Sequence, residues 1–243
     1  MKTIIIIPAR YASTRFPGKP LADIGGMTMI QRVYEQAIKS GVAEKVIVAT
    51  DDYRIFSHVK GFLGEVVMTS TEHKSGSDRC FEVLEKVDEQ FDVVINLQGD
   101  EPFIQLEQFH KLISCFSDPE CRIASLVKKI EKKEDIENQN VVKVVKDMNN
   151  YALYFSRSAI PFNRQSEISP TYFKHLGLYA FRAETLKDIT SLQPSSLEIA
   201  ESLEQLRWLE NGYKIKVAET ELESIAIDSP LDLKRAQVLY FSR

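Results

Sequence analysis

The sequence predicts an α/β protein built on a mostly parallel sheet, and three observations carry that expectation. Apolar runs that do not alternate, beginning at residues 3–9, read as strands buried on both faces. Through the first half of the chain such runs alternate with helical stretches, the order that gives a parallel sheet covered by helices. Three of the runs, in "IIIIPARYASTR", "KVIVATDD" and "DVVINLQGDEP", end in polar or charged residues. In open parallel sheets ligands bind beyond the carboxyl ends of the strands, so these three ends are expected on one rim.

The elements follow in order. Residues 28–40 (TMIQRVYEQAIKS) repeat apolar positions at helical spacing, with Thr28 as N-cap and Gly41 as the stop. "KVIVATDD" and "GEVVMTS" are strands, residues 77–90 a helix, "DVVINLQGDEP" a fourth strand and residues 105–117 a helix. The second half is less regular. "RIASLVKKI" and "VVKVVKD" read as strands around a charged linker, "EKKEDIENQN", and "HLGLYAFR" as another strand. Residues 197–211 (LEIAESLEQLRWLEN) predict one amphipathic helix ended by Gly212, with Glu198, Glu201 and Gln205 on one face. "KIKVAET" and "ESIAID" read as late strands. "SPLDLKRAQVLYFS" reads as a helix with Ser229 at N-cap and Pro230 at N1.

Bulk properties narrow the function. The chain has 243 residues, 44% hydrophobic and 27% charged, with a formal net charge of −4. That is ordinary globular composition without the basic face that nucleic acid requires, so a bound anion must be held by local positive charge. The opening apolar run is too short for a signal peptide, and no run approaches the roughly 18 apolar residues of a membrane span. A cytoplasmic protein with no nucleic-acid or membrane partner is expected. Cys80, Cys115 and Cys121 form no C-x-x-C and read as reduced thiols. The four histidines are scattered, without H-E-x-x-H, so no zinc site is expected.

The loop "PARYASTRFPGKP" carries Arg10, Arg15 and Lys19 and no acid. It is neither a P-loop nor a G-x-G-x-x-G fingerprint. Three cations with Ser13, Thr14 and nearby backbone N–H groups at a strand end suit a triphosphate, although a solvated basic loop has the same pattern. Asp100, in "QGDEP", and Asp228, in "IAIDSP", each follow an apolar run and precede a helix start. Turn formation and capping explain both; so does a shared Mg²⁺, which takes one or two carboxylates plus phosphate oxygens. "EHKSGSDR" reads as a capped helix start or as contacts to a nucleotide base or sugar. Arg157 and His175 lie in apolar runs, where burial without a partner is costly.

"IPARYASTRFPGKPL", "ATDD", "EHKSGSDR", "NLQGDEP", "YALYFSRSAIPF", "KHLGLYAF", "SLEQLR" and "IDSPLDL" occur in the order of one family, and nearly end to end the sequence resembles the 3-deoxy-manno-octulosonate cytidylyltransferases. The resemblance implies a Rossmann-like nucleotidyltransferase fold of the nucleotide-diphospho-sugar transferase type, with a mixed, mostly parallel central sheet flanked by helices. It implies transfer of CMP from CTP to 3-deoxy-manno-octulosonate (Kdo), releasing pyrophosphate and activating the sugar for the lipopolysaccharide inner core, with Mg²⁺ as cofactor and a homodimer as the assembly. One domain spans 1–243. The nucleotide-binding part covers about 1–125, the sugar-binding and dimerisation part about 126–220, and 221–243 returns to the metal site.

The matching positions give Arg15, Lys19, Asp100 and Asp228 as catalytic residues, with Asp100 and Asp228 as Mg²⁺ ligands. Ala9, Arg10, Ser13, Arg15, Lys19, Thr50, Ser75, Gly76, Ser77 and Arg79 match the nucleotide site. Gln98, Arg157, His175, Tyr179, Glu198 and Gln205 match the sugar site, with Arg157 expected to pair with the sugar carboxylate. Ile199 stands where many members carry histidine, and the segment before "YFKHLG" is short, a feature shared with a branch that prefers the 8-amino analogue of Kdo. A sialic-acid cytidylyltransferase would differ in the opening motif and sugar helix. A catalytically dead homologue would be expected to lose part of the set Arg15, Lys19, Asp100 and Asp228, and all four are present.

Overall fold

A computed structural model describes residues 1–12, 16–165, 170–223 and 226–241. The chain divides into two compact units, Met1–Phe109 with Ser224–Arg243, and His110–Glu223. β1 (Thr3–Ala9) opens the first unit with all four isoleucines fully buried. β2 (Asp23–Ile24) and β3 (Met27–Thr28) form a small antiparallel ribbon. α1 (Met29–Ser40) starts where the Thr28 hydroxyl accepts from Gln31 N and stops at Gly41, whose φ is 65°. β4 (Lys45–Thr50), α2 (Tyr53–Gly61), β5 (Val66–Met68), α3 (Gly76–Lys86), β6 (Val93–Asn96) and α4 (Leu106–Ser114) follow. β1 pairs in parallel with β4 and with β6, and β4 pairs in parallel with β5. The carboxyl ends of β1, β4 and β6 therefore share one rim, as their polar endings require.

The periodicity did not reveal α2, nor the later helices over Lys133–Glu137, within the expected charged linker, and Ala183–Thr190. α2 is short, buries Ile55 and Val59, and is set by Asp52, which accepts from Arg54 N at its start. α3 ends four residues earlier than the pattern suggests, because Val87 is already extended (φ −90°, ψ 135°).

The second unit contains β7 (Ile123–Lys129), α5 (Lys133–Glu137), β8 (Lys143–Lys146), β9 (Ala152–Ser156), β10 (Phe173–Arg182), α6 (Ala183–Thr190), α7 (Ser196–Glu201), α8 (Glu204–Glu210) and β11 (Ile215–Glu219). β10 runs antiparallel to β7 and β8, β9 antiparallel to β8, and β11 parallel to β7. The sheet is thus mixed here and parallel in the first unit, as expected for the fold class. α9 (Pro230–Phe241) returns to the first unit with the predicted cap: Asp232 N donates to Ser229 Oγ, and Ser229 N to Asp232 Oδ2. No helix among the described residues is long and apolar enough to cross a membrane.

Two expectations are corrected. Residues 197–211 are not one helix. Ser202 sits in the left-handed region (φ 53°) and Leu203 is extended, so α7 and α8 are separate and the shared face of Glu198, Glu201 and Gln205 does not exist. The break has a partner: Arg157 Nε donates to Glu201 O at 2.7 Å and its Nη2 to Ser202 O at 3.4 Å, taking carbonyls that a continuing helix would use itself. The late strand over 223–228 is also absent among its described residues. Ile227 makes a single ladder-like bond there, its N–H donating to Asp100 O at 3.0 Å.

Lys143 is fully buried and satisfied entirely by backbone. Its three ammonium protons reach Asn138 O (2.8 Å), Val141 O (2.6 Å) and Arg157 O (2.5 Å). Burial pulls its pKa below the usual lysine value. Lys143→Met leaves three carbonyls without that donor, so we expect a loss of about 2–4 kcal/mol in urea unfolding. An unchanged midpoint would show that the ammonium does not fasten this loop.

Candidate active site

The carboxyl end of β1 is a prepared surface. Gly18 N donates to Tyr11 O at 2.9 Å, closing the loop that follows the strand. Gly18 has φ 72°, which favours glycine, and a Cβ there would crowd the Tyr11 ring at 3.1 Å. The Tyr11 ring is covered by the Arg54 guanidinium, 3.2 Å from the ring centroid, and Asp52 holds Arg54 through bonds of 3.0 and 2.6 Å. Lys19 begins the short helical turn Lys19–Leu21 immediately after Gly18.

Asp100 arrives from the neighbouring strand. A Cβ on Gly99 would lie 2.9 Å from Pro8 O, so only glycine lets the segment after β6 press against the end of β1. Asp228 comes from the far end of the sequence. Its segment is held by Ile227 N bonded to Asp100 O, and by an apolar cluster in which Ile227 and Ala236 join Ile24 and Met29, all fully buried. Burying a side chain such as Ile227 contributes about 1.5–3 kcal/mol.

These three segments bring three charges together. Lys19 Nζ lies 2.6 Å from Asp100 Oδ2 and 3.3 Å from Asp228 Oδ1. Asp100 Oδ1 is buried and has no hydrogen-bond partner among the described residues. A buried carboxylate oxygen without a donor calls for a cation. No cluster of three or more His, Cys, Asp or Glu with metal-binding geometry occurs among the described residues. The protein thus offers two carboxylates, a hard and incomplete oxygen set that fits Mg²⁺ completed by phosphate and water.

The other residues expected at the nucleotide site fall as follows. Arg10 is exposed just past β1, and Ala9 is buried. Thr50 is buried at the end of β4, its Oγ1 accepting from Asp52 N. Ser75 and Asp78 form a capping box at the start of α3, and Gly76 lies against Asn96 and Pro8. Ser77 is buried in α3. Arg79 is 1% exposed and is bound by Asp51 Oδ2 at 2.8 Å and by Thr69 Oγ1. Ser13 and Arg15 lie outside the described residues.

Of the residues expected at the sugar site, Gln98 belongs to the first unit, exposed after β6, and the other five to the second. His175 and Tyr179 are four residues apart on β10, a distance of about 13 Å in a regular strand. Their rings are 5.2 Å apart. The pairing register of β10 with β7 shifts between Leu176 and Tyr179, a bulge that gathers the two side chains. Ser125 fills it, its Oγ lying 3.2 Å from Leu176 O, 3.0 Å from Leu178 O and 2.8 Å from His175 Nε2. Phe155, Phe181 and Trp208 complete an aromatic cluster.

The Tyr179 hydroxyl is buried without a hydrogen-bond partner among the described residues, and burial pushes its pKa well above the usual phenol value, so it stays a neutral donor. Gln205 is buried in α8. Glu198 and Arg157 are engaged within the fold. Arg207 bonds both Glu198 oxygens (2.7 and 2.5 Å) and holds that carboxyl below its usual range. Arg157 donates to Gln139 O as well as to the α7 carbonyls. Sequence reasoning missed Ser125, Lys143, Tyr11 and Asp51. Of these, Lys143 left a visible signal, a lysine inside the otherwise apolar run "VVKVV".

The family model described as Cytidylyltransferase matches residues 4–215. The chain is 56% identical to the 3-deoxy-manno-octulosonate cytidylyltransferase of Parabacteroides distasonis, with 100% of both chains covered. It is 59% identical to the protein of the same name from Phocaeicola vulgatus, covering 100% of this chain and 99% of that one. Among solved structures it resembles CMP:2-keto-3-deoxy-manno-octonic acid synthetase complexed with CTP, at TM-score 0.94 and 42% identity, covering 100% of this chain and 99% of that one. The 4-diphosphocytidyl-2C-methyl-D-erythritol synthase of Anaerococcus prevotii, at TM-score 0.65 and 18% identity over 100% of this chain and 99% of that one, shares the fold.

Burial lowers the His175 pKa from its usual 6.5 to about 3. The unfolded chain therefore binds a proton that the folded chain refuses, and stability falls as pH drops from about 6.5 towards 3. Urea unfolding at pH 7 and pH 5 should show a larger loss for the wild type than for His175→Gln, which keeps an N–H for Ser125. Equal losses would place the proton elsewhere.

Proposed function

Because this chain belongs to the 3-deoxy-manno-octulosonate cytidylyltransferase family, we propose that it transfers CMP from CTP to the anomeric hydroxyl of Kdo, releasing pyrophosphate and activating the sugar for lipopolysaccharide assembly. The observation that carries this reading is the meeting of Lys19, Asp100 and Asp228 at the carboxyl end of a parallel sheet. Phosphoryl transfer asks a protein mainly for positioning and for charge opposite the phosphates.

Lys19 and Arg10 neutralise the triphosphate, and Arg15 from the same basic loop joins them. Thr50, Ser75 and Gly76 present the nucleoside side with backbone and hydroxyl groups, and Arg79 fixes Asp51 behind them. Asp100 and Asp228 would hold Mg²⁺, which when bound supplies Lewis acidity at phosphate oxygens and at the attacking hydroxyl. Tyr179, whose buried hydroxyl has no partner among the described residues, offers a donor to the sugar, and His175 and Gln205 of the same unit and Gln98 of the first are expected to contribute to its binding. Arg157 and Glu198 serve the sugar side by fixing the α7–α8 corner. The second unit exposes Met148, Leu153, Phe162 and Ile199, apolar surface consistent with a homodimer.

The test is pyrophosphate release from CTP and Mg²⁺ with Kdo as acceptor. Wild-type protein should turn over, and Asp100→Asn should lose at least about 100-fold in kcat while melting normally. Silence of the wild type with Kdo would overturn the assignment. Full activity of Asp100→Asn would overturn the metal role.

A further inference from the structure

The position of Lys19 bears on the order in which ligands enter. Its ammonium lies between the two carboxylates, at 2.6 and 3.3 Å, where a divalent ion would have to sit. Lys19 and Asp100 are sheltered, with side-chain exposures of 14% and 18%, while Asp228 is open to solvent at 45%. Between Lys19 and Asp100 water screens less than at the open surface, so a second cation beside the ammonium would be repelled.

We propose that Lys19 gates the metal: a divalent ion settles between Asp100 and Asp228 only when a triphosphate draws the ammonium away. This rests on the reading of Asp100 and Asp228 as the metal's carboxylates. The backbone of Lys19 is fixed, with Lys19 N bonded to Phe16 O and Leu21 N to Gly18 O, so the movement is confined to the side chain. Lysine suits the task. Its charge is a compact point on a flexible stem that can exchange one anion for another, whereas the planar fork of arginine would lock onto a carboxylate. Before nucleotide binds, Lys19 relieves the repulsion between the two acids. Once nucleotide binds, the same charge faces phosphate and the acids are released to the metal. Metal therefore arrives with, or after, the triphosphate.

The test measures Mn²⁺ binding by electron paramagnetic resonance, with Mn²⁺ alone and then with CTP. Without nucleotide, Lys19→Met should bind Mn²⁺ at least about tenfold more tightly than wild type. Its affinity for CTP in the absence of metal should fall. A merely structural role would not move the two affinities in opposite directions. Lys19→Gln, which keeps a polar end, is the second variant should Lys19→Met melt early, and the same signs are expected. Equal Mn²⁺ affinity of wild type and variants without nucleotide would overturn the gate. Mn²⁺ binding with CTP that survives Asp100→Asn unchanged would overturn the underlying metal reading, and the gate with it.

Discussion

The ion pair of Lys19 with Asp100, closed by Asp228, is the interaction around which the first unit is arranged. Each charge comes from a different stretch of chain, and each stretch is fixed by a steric or apolar constraint rather than by the charges. Gly18 turns the loop after β1 under the Tyr11 ring. Gly99 admits the segment after β6 against Pro8 O. The cluster of Ile24, Met29, Ile227 and Ala236 carries the C-terminal segment back to the rim. Desolvating three charges is expensive unless they neutralise one another or a ligand. An arrangement held by packing, with an Asp100 oxygen that finds no partner among the described residues, is better suited to binding than to stability.

A different logic governs the second unit. There two long cationic side chains are turned inward onto backbone. Lys143 binds three carbonyls, and Arg157 takes those of Gln139, Glu201 and Ser202. They are linked, since one of the Lys143 acceptors is Arg157 O. The result is a fixed corner between α7 and α8, with Glu198 locked by Arg207 on the far side. The bulge at Ser125 does for His175 and Tyr179 what Gly99 does for Asp100: a local backbone irregularity places a side chain that regular structure could not.

The sequence made the alternation of strands and helices readable because buried parallel strands are continuous apolar runs and the caps at Thr28, Ser75 and Ser229 follow known chemistry. The polar strand endings marked the rim. What escaped was decided by contacts between distant residues. The α7–α8 break has no Gly or Pro to announce it, because the agent is Arg157, some forty positions away. α2 was hidden by its short apolar face. The charges at Lys19, Asp100 and Asp228 were each visible, but their meeting depends on the docking of Ile227, which no local pattern states. The individual partners of Arg79 and Glu198 were likewise beyond spacing arguments.

The central claim is that the two carboxylates at this rim hold the metal that serves the nucleotide. The most direct measurement is anomalous scattering from crystals of the protein grown with CTP and Mn²⁺. The account predicts an anomalous peak contacting Asp100 and Asp228 and triphosphate oxygens, with Lys19 Nζ turned to the phosphates. A peak bound to the nucleotide alone, with Lys19 still between the two carboxylates, would contradict it.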